Sequence, residues 1–119
     1  MSTGSAIDLT AALERIDGDQ ELFLTLAEMF IGRAMEDTAA IRTALQAQDL
    51  VALAKQAHRL KGSAMEFCAH QTVAAAKSLE EAARGGKQDQ VIALCERVEA
   101  EIGRLTEELR CIMEKGFPS

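Results

Sequence analysis

A single proline, Pro118, stands in a chain of 119 residues. Proline is the residue that most reliably stops a helix, because it lacks the backbone N–H and its ring clashes with the preceding turn. Everything before it is therefore free to be helical. The apolar content is supplied mainly by alanine and leucine, both good helix formers, while aromatics are 3% with no Trp or Tyr. No strand-like alternation and no repeat of 20–50 residues interrupts this reading. The spacing predicts an all-α chain.

The apolar spacing divides the chain. Asp8 can cap a short first helix with Leu9, Leu13 and Ile16 on one face. The run Asp17-Gly18-Asp19 ends it. A long helical pattern follows from about Gln20 to Ala47, then one from Leu50 to about Cys68, capped by Asp49. His70 is expected in the turn before a shorter helix, Thr72 to Arg84, which Gly85-Gly86 stops. The last helix runs from about Asp89 to Met113, with Val91, Leu94, Val98, Ile102, Leu105, Leu109 and Ile112 on one face. Four substantial helices with short connections imply an antiparallel up-and-down four-helix bundle, with the short N-terminal helix as an addition. Nothing marks a linker, so residues 1–119 are expected to form one domain, with 1–6 a flexible lead and 114–119 a C-terminal tail.

The formal net charge of −6 argues against a nucleic-acid partner. No apolar run reaches the ~18 residues of a membrane span. The opening MSTGSAIDL lacks the basic and apolar regions of a signal peptide. Cys68, Cys95 and Cys111 form no C-x-x-C, which suggests reduced thiols and a cytoplasmic setting. The segment Leu50–Met65 goes against the overall charge: it holds Lys55, Arg59 and Lys61 and no acid.

Its faces can be assigned at about 100° per residue. Leu50, Leu53, Ala57, Leu60, Ala64 and Phe67 form the core seam. His58 falls roughly 130° from the seam's centre, so its ring should face water or a partner. The outward stripe reads Val51, Lys55, His58, Gly62, Met65, Ala69, with Lys61 on its flank. A purely solvated face would hold more Glu, Lys and Gln. An exposed helix glycine costs about 1 kcal/mol relative to alanine. Its gain here would be clearance beside the imidazole for a bulky group, and the basic neighbours would favour an anion.

At these residues, His58-Arg59-Leu60-Lys61-Gly62-Ser63-Ala64, the sequence resembles the histidine-containing phosphotransfer (HPt) domain family. The resemblance extends over nearly the whole chain, through IDLTAALERIDGDQELFLTLAEMF and the Leu79-Glu80 pair in SLEEAARGG. One departure stands at Cys68, where the family commonly has glycine shortly after the motif.

The resemblance implies a phosphorelay intermediate. His58 would accept a phosphoryl group from a receiver-domain aspartate and pass it to another receiver. Lys61 would stabilise charge, with its ammonium reaching outward, so that it matters for transfer more than for the fold. Gly62 would give steric clearance, while Val51, Lys55, Arg59, Met65 and Ala69 would form the docking surface. The partners implied are response-regulator receiver domains, those of hybrid sensor histidine kinases among them, meeting a monomer. The Mg²⁺ of the reaction would belong to the receiver, with no metal site or cofactor in this chain. No GxxxxGK[ST] or GxGxxG phosphate loop is present, so the chain should not phosphorylate itself from ATP.

Two other readings stand beside this one. The first is a helical adaptor that binds a partner without phosphorylation. The second is a metal site from Glu66, Cys68 and His70, whose spacing does not put all three on one helix face.

Overall fold

The computed structural model describes residues 5–118, and five helices account for most of them. They are α1 (Leu9–Arg15), α2 (Gln20–Gln46), α3 (Leu50–Met65), α4 (His70–Arg84) and α5 (Gln88–Lys115). Among the described residues there is no strand. Asp8, Asp19 and Asp49 cap α1, α2 and α3, each accepting a backbone N–H three residues on.

The first four helices end in the same way. The residue after the last turn takes a left-handed conformation: Asp17 (φ 57°), Gln48 (φ 54°), Cys68 (φ 49°) and Gly86 (φ 70°). The next N–H then reaches back five residues, as Gly18 does to Leu13, Asp49 to Ala44, Ala69 to Ala64 and Lys87 to Ala82. This is the Schellman closure, which satisfies carbonyls that a helix end leaves open.

The chain leaves α3 at Met65, earlier than the pattern suggests, and α4 begins at His70 rather than Thr72. His70 is therefore the first helical residue and not part of the turn.

α2 packs on α3 and α5, and α4 packs on α3 and α5, so the four long helices close a ring around one core. The seam of α3 is buried as its spacing requires, from Leu53 through Ala57, Leu60 and Ala64 to Phe67. The chain's four phenylalanines gather at one end of that core. Phe67 meets Phe23 edge-on at 5.5 Å and Phe30 at 5.7 Å, and Phe23 meets Phe117 at 5.4 Å.

Near both ends the described residues depart from the expected free lead and tail. Ala6 is buried, its N–H 2.6 Å from Glu108 Oε2, and the Ser5 hydroxyl donates to Glu108 Oε1 at 2.8 Å. Residues 1–4 of the expected lead lie outside the described residues. At the other end α5 continues to Lys115 and Phe117 packs on the core, so only part of 114–119 is a tail. Ser119 lies outside the described residues. No helix among the described residues is long and apolar enough to cross a membrane.

Candidate functional site

α3 and α4 share the most extensive helix contact in the molecule, and His58 sits on its outer edge. Its side chain is 62% exposed. The ring does not stand alone: Nδ1 lies 3.0 Å from Glu80 Oε2, on α4. Glu80 itself is buried, with 9% of its side chain exposed. A buried carboxylate must be paired, and this one has three partners. Lys61 Nζ donates to Oε1 at 2.9 Å. Arg84, one turn along α4, places Nε at 3.1 Å and Nη2 at 2.9 Å from Oε2. His58 supplies the third.

These contacts decide protonation. The Lys61 ammonium is the largest influence on Glu80. With Arg84 and His58 it outweighs burial and lowers the carboxyl from 4.5 to about 2. Glu80 is therefore ionised near neutral pH and can only accept hydrogen bonds. The nitrogen facing it must then be the N–H of the imidazole. In the neutral ring the lone pair falls on the other nitrogen, Nε2, which has no hydrogen-bond partner among the described residues.

The surroundings of the ring are open. A methyl group placed on Gly62, at i+4 from His58, would meet nothing within 4 Å beyond its chain neighbours and its own helix backbone. Lys55 and Arg59 are exposed beside it, as are Val51 at 67% and Met65 at 50%.

Two expected placements need correction. Ala69 is fully buried, not part of the outward stripe. The chain turns left-handed at Cys68, so the 100° stepping of α3 no longer applies there. Lys61 does not reach outward; it is held on Glu80 with 25% of its side chain exposed. Among the described residues no three His, Cys, Asp or Glu side chains gather as a metal site, so Glu66, Cys68 and His70 are not assembled into one.

Glu80 and Arg84 escaped the reading of α3 alone, yet a signal exists. Thr72, Ala76, Leu79 and Ala83 mark the buried stripe of α4, and Glu80 falls within it at i+4 from Ala76. A carboxylate on a buried stripe calls for cations from the facing helix. Lys61 and His58 are the groups of α3 that can answer.

The Hpt domain family model matches residues 25–108. The chain belongs to the Hpt domain family. Hpt domains are phosphotransfer carriers of phosphorelays and interact with receiver domains of response regulators or hybrid kinases. The Hpt fold here is also similar to the crystal structure of histidine-containing phosphotransfer protein B (HptB) from Pseudomonas aeruginosa PAO1. The TM-score is 0.86 and the identity 25%, over 95% of this chain and 98% of that one. No curated protein gives a significant match. In this Hpt domain the matched span contains α3, α4 and all four members of the Glu80 cluster, while α1 lies outside it.

Proposed function

We propose that His58 is the residue that carries the phosphoryl group, and that Nε2 is its reacting atom. The observation that carries this reading is the contact of His58 Nδ1 with an ionised Glu80, at an edge kept open by Gly62. Nε2 attacks the phosphorus of a receiver's aspartyl phosphate in line. The N–P bond forms as the P–O bond to the aspartate breaks, and the carboxylate leaves with the bonding pair. Neutral Nε2 has no proton to lose. The ring instead becomes cationic as the bond forms, with its proton kept on Nδ1. Glu80 stabilises that charge where it develops, which is the most effective place for a fixed electrostatic group. The reverse sequence hands the phosphoryl group to another receiver.

Lys61 and Arg84 keep Glu80 ionised, and Lys61 adds positive charge one turn from the transferring group. Lys55, Arg59, Val51 and Met65 form the docking surface, without Ala69. The Mg²⁺ of the reaction is placed in the receiver's acidic pocket. The connections of three or four residues between consecutive contacting helices support an antiparallel up-and-down course for α2–α5.

The test is labelling by a phosphorylated receiver. His58→Gln should lose all acid-labile, base-stable phosphate while its circular dichroism stays helical. Label appearing instead on His70 of that variant would overturn the assignment.

A further inference from the structure

We propose that Arg15, on α1, is a positioning residue for receiver docking, because it holds shut the turn that ends the His58 helix. The inference rests on the phosphotransfer reading above. Met65 is the last residue of α3 and the far end of the exposed stripe that carries His58 and Gly62. Its carbonyl is one of those the helix end leaves open. That carbonyl accepts the Cys68 N–H at 3.1 Å and a hydrogen bond from Arg15 Nη1.

This turn, unlike the similar ends of α1 and α2, is also held from outside by a side chain of another helix. It closes only with Cys68 left-handed, at φ 49°, a conformation glycine adopts readily and a residue with a Cβ does not. Two more contacts from the same N-terminal segment meet the corner. The Asp8 N–H donates to the Cys68 carbonyl at 3.2 Å, and Asp8 Oδ2 lies 4.0 Å from His70 Nε2. Burial of Ala6, Ile7 and Ala12 anchors that segment to the core. The left-handed residue, the helix-end carbonyl and the clamp thus lie together, and Met65 is where the clamp meets the docking face. If the corner opens, the last turn of α3 frays and Met65 loses its place.

Cys68 also supplies the probe. In a Cys111→Ser background the remaining thiols are Cys68, partly exposed, and Cys95, which is buried with its thiol pushed up to about 11 and so is unreactive. Thiol labelling then reads opening of the turn, independently of phosphotransfer. Arg15→Ala should speed Cys68 labelling by about 5-fold, the effect of losing one hydrogen bond of ordinary strength. It should raise the receiver concentration at half-maximal transfer by a similar factor, with the saturated rate changed less than about 2-fold. Arg15→Lys should restore part of both. Cys68→Gly should make transfer indifferent to Arg15→Ala, since glycine keeps the turn without a clamp.

An unchanged half-saturating concentration in folded Arg15→Ala overturns the proposal, as does a defect that Cys68→Gly fails to rescue. Loss of transfer in the parent protein would count against the His58 reading instead, and the labelling rates would still test the clamp.

Discussion

Replacing Glu80 by Gln keeps the shape of the side chain and removes its charge. Three donors then face a neutral amide, and under the proposed mechanism the ring no longer has an anion to stabilise it as the N–P bond forms. The expected result is phosphotransfer slower by roughly 10-fold, the effect of about 1.4 kcal/mol of lost charge-assisted bonding. Single-turnover labelling of His58 measures it. The same carboxylate links stability to pH. Its folded pKa is lowered from 4.5 to about 2, so its contribution is complete above the unfolded value and disappears as pH falls through the folded one. Because the three partners are partly exposed, that contribution is on the order of 1–2 kcal/mol. Urea midpoints measured between pH 5 and pH 2 should fall more steeply for the wild type than for Glu80→Gln. Lys61 shares in this network, so Lys61→Ala should lower the melting temperature as well as the transfer rate. The stability loss should be about 1 kcal/mol, because Arg84 and His58 still cover the carboxylate. A melting temperature equal to that of the wild type would contradict the pairing.

On α3 the structure separates what glycine costs from what it provides. Nothing beyond its own helix backbone and chain neighbours lies within 4 Å of a methyl group at Gly62, so Gly62→Ala should stabilise the fold by up to ~1 kcal/mol in thermal or urea unfolding. Gly62→Gln should keep the fold and slow transfer from a docked receiver; a wild-type rate would remove the case for clearance. The faces of α3 were legible from the sequence because helical geometry is regular: a seam at spacings of three and four fixes where His58 and Gly62 must point. Legibility ended where the regularity did. Ala69 followed the stripe by number, but a left-handed residue at Cys68 ends the helix and turns the next residue inward. Lys61 was placed on the correct flank, yet its partner belongs to another helix. Glu80 is 22 positions from His58, and periodicity within one helix says nothing about which residues of two helices meet. The one clue was an acid on the buried stripe of α4, which demands a cation without naming it.

At the scale of the whole molecule the long helices form a closed ring, and the first and last described residues are held at one place. Ser5 and Pro118 line the same hollow, with Leu9, Glu108, Cys111 and Phe117 between them. Glu108 of α5 holds the backbone at Ala6, and Phe117 rests on Phe23. The phenylalanine cluster therefore joins the start of α2, the end of α3 and the C-terminal segment into one packing unit. Neither end was legible in the sequence, because polar leads and tails reveal their anchors only through contacts made across the whole chain. The adjacency makes the order of the helices along the chain separable from their arrangement in space. A short Gly/Ser linker could join Pro118 to Ser5, and the exposed Gly85-Gly86 turn between α4 and α5 could be cut to make new ends. The permuted chain would begin with α5 and finish with α4, leaving His58, Lys61, Glu80 and Arg84 on one uninterrupted stretch. It should melt cooperatively and accept phosphate on His58 at close to the wild-type rate, whereas a chain cut between α3 and α4 should keep its helices and lose the transfer.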